Sequence, residues 1–85
     1  MKVLYFSWMR ERVGLAEEDV DLPAGVDDVA GLIEWMKTRG SGFEGAFTEM
    51  VVVRTAVNQV HVDLSHPIEN GDEVAFFPPV TGGAR

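Results

Sequence analysis

The sequence predicts an α+β fold, a mixed sheet with one main helix packed across it and a short second helix. Three observations predict it. Apolar, strand-like segments stand at both ends of the 85 residues, at Met1–Trp8 and Asp72–Phe77. A helical stripe lies between them, with Val26, Val29, Leu32, Ile33 and Met36 recurring at the spacing of one buried face. A half-polar segment, Glu17–Leu22, precedes that helix, and a second β-rich stretch follows it. Two strands before a helix and more after it fit a helix laid over one face of a sheet.

Each element has its own signal. Met1–Trp8 is rich in β-branched and aromatic residues, and apolar side chains fall on both of its faces, as a central strand requires. Met9–Gly14 is a polar turn or single helical turn closed by glycine. In Glu17–Leu22, Val20 and Leu22 point inward and Asp19 and Asp21 outward, the alternation of a half-buried edge strand. Pro23-Ala24-Gly25 breaks the strand, Asp27 or Asp28 caps the main helix, and Gly40 is its expected left-handed stop after Lys37 and Arg39. Ser41 and Glu44 have the spacing of a capping box, and Phe43, Phe47 and Met50 give the short second helix its apolar side. Val51–Val57 and Val60–Val62 read as strands joined by an Asn58-Gln59 turn, Ser65–Gly71 as a loop, and Asp72–Phe77 as the last strand. At this size the β-grasp, or ubiquitin-like, arrangement is the leading candidate, with the first and last strands paired in parallel at the sheet centre. Residues 1–77 form that domain and 78–85 an extended C-terminal tail.

Composition narrows the function. The chain is 46% apolar and 25% charged, as a globular domain is and a disordered segment is not. It has no cysteine, which removes a disulfide scaffold, a thiolate metal site and a cysteine nucleophile. The apolar start is too short for a signal sequence or a membrane span, and a cytoplasmic location is expected by default. Fourteen acidic and seven basic residues give a formal charge of −7, which disfavours nucleic acid and anionic membranes as partners and favours a basic protein surface. Nucleotide-binding and hydrolase motifs are absent. His61 and His66 read as solvated loop residues rather than ligands, so no metal site is expected. Glu17, Glu18, Asp19 and Asp21 read as a solvated acidic face, Trp8 and Trp35 as core or core-edge residues. Arg10 and Arg12 stand in a loop, with or without a contact role.

The C-terminal stretch departs from these ordinary expectations. Phe76 and Phe77 are adjacent on a strand, so their rings face opposite sides. One enters the core under the helix, and the other is available as an interface anchor. Pro78-Pro79 lacks two backbone donors, ends sheet pairing and favours an extended chain. From Pro78 through Val80, Thr81 and Gly82 to Gly83 the tail reaches roughly 20 Å at about 3.3 Å per residue. Without β-carbons, Gly82 and Gly83 make the thinnest possible polypeptide for threading into a partner. A carboxylate on such a tail is a poor electrophile; adenylation by ATP in a partner enzyme would make it a mixed anhydride, which a sulfur donor could convert to a thiocarboxylate.

At Gly71-Asp72-Glu73-Val74-Ala75-Phe76-Phe77-Pro78-Pro79-Val80-Thr81-Gly82-Gly83 the chain closely resembles the small, sulfur-carrying subunits of molybdopterin synthase. Met1–Trp8 with its Arg-Glu-Arg turn, Leu22-Pro23-Ala24-Gly25-Val26 and Ala56-Val57-Asn58-Gln59 extend the resemblance in the right order. It implies a β-grasp fold and a non-catalytic, sulfur-donating role in molybdenum cofactor biosynthesis. It also implies that Gly83 is adenylated by a ubiquitin-activating-like adenylyltransferase and receives sulfur from a donor protein. The tail would then enter the large synthase subunit of a heterotetramer and give sulfur to cyclic pyranopterin monophosphate. Phe76, Phe77, Pro78, Pro79, Val80 and Thr81 would bind partners, Gly82 would thread and Gly83 would carry the acyl group. No cofactor would be bound by the chain itself; ATP is used by the activating partner.

One departure stands out. Ala84 and Arg85 follow the second glycine, and the family's competent members end at that glycine. While they remain, the Gly83 carbonyl is an amide that ATP cannot adenylate. Proteolytic removal, an origin outside the native sequence and a paralogue that never carries sulfur all fit the residues. The alternative functions are sulfur carriage for another pathway and a ubiquitin-like modifier or docking module.

Overall fold

The computed structural model describes residues 1–48 and 53–79. Five strands and three helices follow in order: β1 (Lys2–Tyr5), α1 (Trp8–Val13), β2 (Glu17–Asp19), α2 (Val29–Lys37), α3 (Ser41–Phe47), β3 (Arg54–Val57), β4 (Val60–Val62) and β5 (Glu73–Phe77). The sheet order is β2-β1-β5-β3-β4, so the two terminal strands lie at its centre. They pair in parallel, Val3 with Val74 and Tyr5 with Phe76, while the other neighbours are antiparallel. This is the mixed-sheet β-grasp arrangement expected from the element order.

Alternation along the central strands divides the sheet into two faces. Val3, Tyr5, Val57, Val74 and Phe76 are buried on the face covered by the helices. Helix α2 contributes Val29, Leu32, Ile33 and Met36, four of the five positions its periodicity marked out; Val26 precedes the helix and packs partly buried against the core, and α3 contributes Ala46 and Phe47. The Phe76 ring meets the Phe47 ring edge-on at a centroid distance of 4.8 Å and stacks near Tyr5 at 6.3 Å. A buried ring of this kind stabilises the fold by about 2–3 kcal/mol through its transfer from water.

Local sequence explains most of the boundaries. Asp28 caps α2, its carboxylate accepting from the Gly31 N–H at 2.8 Å. Gly14, at φ 88°, ends α1 with its N–H on the Arg10 carbonyl. Asn58 and Gln59 both take positive φ in a tight hairpin between β3 and β4. The Asn58 side chain then accepts from Glu73 N–H and donates to Asp72, tying that hairpin to β5.

Four boundaries differ from expectation. The first strand stops at Tyr5, because Ser7 adopts φ 58° and turns the chain into α1, which takes in Trp8. The edge strand is Glu17–Asp19; Val20 is buried beyond it, bonded through its N–H to the Met1 carbonyl. The capping box does not form. Gly40, at φ 149°, is the N-cap of α3 rather than the left-handed stop of α2, and Ser41 is already helical. Only glycine adopts that backbone readily, so the helix starts one residue early. Gly42 has a separate constraint: a β-carbon there would collide with the Arg12 carbonyl where α1 crosses α3. Met50 of the second helix and the Val51–Val52 part of the expected strand lie outside the described residues.

The acidic edge is also less solvated than its alternation suggested. Glu18 faces the covered side, accepting from the Tyr5 hydroxyl at 2.7 Å and from Arg39 at 2.7 and 2.9 Å. Arg39 lies over the rings of Trp35 and Phe43, at 5.0 and 4.4 Å from their centroids, so its guanidinium is held by both charge and aromatic faces. Arg39 lowers the Glu18 carboxyl below the ordinary glutamate range, despite partial burial. Burial, followed by the hydrogen bond to Glu18, raises the Tyr5 phenol above its ordinary value. Because the folded Glu18 value is depressed, this contribution is complete above the unfolded glutamate pKa of about 4.3 and is lost as pH falls through the folded value. Glu18→Gln is expected to cost about 1–2 kcal/mol at neutral pH and to flatten the acid limb of the stability profile. Urea unfolding at neutral pH and below pH about 4 measures it; an acid limb as steep as that of the parent protein would contradict this account.

Candidate functional site

The side of the sheet away from α2 carries the features that the core does not explain. Strand alternation places Leu4 and Phe6, Ala56, His61, and Ala75 and Phe77 on this face. Phe6 is 47% exposed and Phe77 half-buried, whereas Phe76 is fully buried on the opposite side. The pair of phenylalanines therefore divides its roles. Phe76, expected among the partner-binding residues, holds the core and offers no side-chain surface for docking. Phe77 is the ring left on the open face.

Phe77 is also the last residue of β5, and Pro78 and Pro79 follow it outside the sheet, both half-buried. The strand keeps its partners up to that point, with Arg54 of β3 in register with Phe77. Neither proline has an N–H for another ladder bond, so the sequence itself ends the pairing. Val80, Thr81, Gly82 and Gly83, the remaining predicted site residues, lie outside the described residues together with Ala84 and Arg85. What the described structure fixes is the root of the tail: a central strand anchored by ladders on both sides, with an apolar face beside its exit.

His61 is not in a loop. It stands on β4 opposite Ala56, its ring 5.1 Å from that of Phe77 at an interplanar angle of 45°. His66 is half-buried beside Pro67, in a cleft of about 330 Å³ with Asn58, Glu69 and Asp72. Asp72 is engaged there by Asn58 and by the Glu69 N–H, bonds that lower its carboxyl below the ordinary aspartate range. Asp63 is lowered similarly by the hydroxyl and N–H of Ser65. These are turn-stabilising contacts. Among the described residues, no group of three or more His, Asp or Glu is placed to hold a metal ion, and no helix is long and apolar enough to cross a membrane. Arg10 is exposed, while Arg12 lies 5.6 Å from the Trp8 ring centroid and donates to the Gly45 carbonyl at 3.3 Å, which gives it a structural task between α1 and α3.

Sequence reasoning missed the Glu18–Arg39 pair and the contact of His61 with Phe77. The first joins residues 21 positions apart and has no local signature. The second was detectable in principle, since a histidine alternating with Val60 and Val62 belongs to a strand rather than a loop.

Fold and tail root together define a β-grasp domain whose last central strand runs directly into a proline-led extension. Residues 3–83 match the ThiS family, and the chain belongs to that family. The chain is 40% identical over 83 residues to the molybdopterin synthase sulfur carrier subunit of Escherichia coli, covering 98% of this chain and 99% of that one. Among solved structures it resembles a putative molybdopterin converting factor, subunit 1, from Pyrococcus furiosus. There the TM-score is 0.77 and the identity 36%, over 93% of this chain and 95% of the other. A complex of subunits 1 and 2 of the molybdopterin-converting factor from Helicobacter pylori shares the fold, with a TM-score of 0.64 and 23% identity over 96% of each chain.

The two adjacent phenylalanines give contrasting expectations. Phe76→Ala is expected to cost about 3–5 kcal/mol in urea unfolding, as a large core truncation does. Phe77→Ala, on the open face, is expected to cost about 1 kcal/mol. Equal losses at the two positions would contradict the assignment of faces.

Proposed function

We propose that this chain is the sulfur-carrier subunit of a molybdopterin synthase and acts through Gly83. The observation that carries the reading is the root of the tail. A rigid central strand ends at Phe77, two prolines follow, and the sequence then runs Val-Thr-Gly-Gly. The names of the relatives support the pathway, and 40% identity over nearly the full length of both chains supports a shared role.

Gly83 supplies the reacting carbon. Ala84 follows it in the sequence, so release of the Gly83 carboxylate by hydrolysis of that peptide bond comes first. A ubiquitin-activating-like adenylyltransferase then joins the carboxylate to AMP, with pyrophosphate leaving from ATP. Sulfur at the sulfide level, supplied by a donor protein, attacks the acyl carbon; the bond to AMP breaks, AMP leaves, and the product is a thiocarboxylate. On this reading the partners supply the acids and bases for these steps. The domain contributes a tail thin enough at Gly82 and Gly83 to pass between the walls of a partner's active site.

Docking on the large synthase subunit uses the open sheet face, with Phe77 as its aromatic anchor and Pro78, Pro79, Val80 and Thr81 leading the tail inward. The Helicobacter pylori complex of subunits 1 and 2 supports a two-subunit assembly of this type. A net charge of −7 suits a basic partner that also holds an anionic pterin phosphate. The large subunit holds the pterin and supplies the acid–base chemistry, and the whole assembly works in the cytoplasm.

Reconstitution tests the proposal. A form ending at Gly83, incubated with ATP, the activating enzyme, a sulfur donor and the large subunit, is expected to convert cyclic pyranopterin monophosphate to molybdopterin. The chain retaining Ala84-Arg85 is expected to give none in the same mixture without a protease. An inert Gly83 form with partners that function with their own carrier would overturn the reading. Isopeptide conjugates at Gly83 in place of molybdopterin would favour a modifier instead.

A further inference from the structure

The open face carries a titratable ring that the proposed mechanism does not use. His61 lies opposite Ala56 of β3, and β3 separates β4 from β5. Strands two apart in a sheet are about 9–10 Å from each other, yet the His61 and Phe77 ring centroids are 5.1 Å apart. The two side chains therefore lean toward each other across β3. Ala56 is the residue between them; its methyl leaves space for both rings, and it is 7% exposed. The outcome is a platform of one imidazole and one phenyl ring beside Pro78.

A partner that takes in the tail has to pass this platform, because Phe77 directly precedes the two prolines. In the free chain His61 is exposed to water. Under a docked apolar surface that water is removed, and desolvation penalises the imidazolium over the neutral ring. The charged groups on the neighbouring elements do not offset this. Arg54 on β3 adds a positive charge to the face, Glu73 on β5 lies in register with Lys2, and Asp63 just beyond β4 is held by Ser65. Among the described residues, neither carboxylate is hydrogen-bonded to His61.

We infer that the His61–Phe77 pair is the contact by which the tail-receiving subunit recognises this chain, and that the contact requires a neutral imidazole against an uncharged, apolar partner surface. The inference rests on the docking reading proposed above. It adds that recognition weakens in acid.

Calorimetric titration of the full chain against the large synthase subunit encoded in the same genome tests it. Measurements at about pH 5.5 and about pH 8 bracket the ordinary imidazole pKa. Wild-type binding is expected to be about tenfold weaker at the lower pH, where only roughly one ordinary imidazole in ten is neutral. His61→Leu is expected to bind with the same affinity at both, and Phe77→Ala to lose binding at both. A wild-type affinity that does not change with pH, or tightens in acid, overturns the inference, as does a His61→Leu profile as steep as wild type. In those cases loss of binding in Phe77→Ala keeps the docking reading. Failure of the wild-type chain to bind at either pH removes both.

Discussion

Parallel pairing of β1 with β5 is the constraint on which the rest of this structure depends. It brings the two ends of the domain together at the centre of the sheet, where each strand has neighbours on both sides. A parallel pair needs a long crossover, and here the crossover contains all three helices and the three remaining strands. The register is fixed by burial. A shift of one residue would move Phe76 out of the core and Phe77 into it, and would carry Val74 out as well. The same register sets where the tail begins, so packing energy in the core determines the position of the proline pair.

That arrangement separates two tasks along one strand. Residues facing α2 and α3 hold the fold, and residues facing the other way are left for partners. Phe76 is tied down by Phe47 and Tyr5, so β5 is a stiff root for the segment that follows it. On the proposed reading this stiffness matters, because a tail delivered from a fixed root samples fewer positions when it meets an active site. The Tyr5–Glu18–Arg39 group supports the opposite edge of the sheet, joining β1, β2 and the segment after α2 by charge-assisted hydrogen bonds.

The architecture was legible in the sequence because its signals are long and periodic. The α2 stripe, the two-faced apolar character of the outer segments and the Asn-Gln turn each have a local physical cause. The parallel pairing came with the β-grasp arrangement that element order and size suggested, and the two-faced apolar terminal strands agreed with it. Boundaries were harder where one backbone angle decides them: Ser7 takes a positive φ that serine does not announce, and Gly40 uses its freedom to start α3 rather than to stop α2. The solvated reading of Glu18 failed because its partners are distant in sequence. For the candidate site, the proline pair and the glycines were plain, but which phenylalanine turns inward depended on a register that composition does not contain. The Val60–Val62 strand was legible, but the contact of His61 with Phe77 was not, because it depends on the order of β5, β3 and β4 across the sheet.

The central claim concerns one carbonyl carbon, that of Gly83. Intact-mass analysis of this protein isolated from its own cells, with partners left in place, addresses it most directly. The account predicts a population that ends at Gly83, part of it with one carboxylate oxygen replaced by sulfur. A single species that retains Ala84 and Arg85 and carries no sulfur, in cells making molybdopterin with no other carrier, would contradict it.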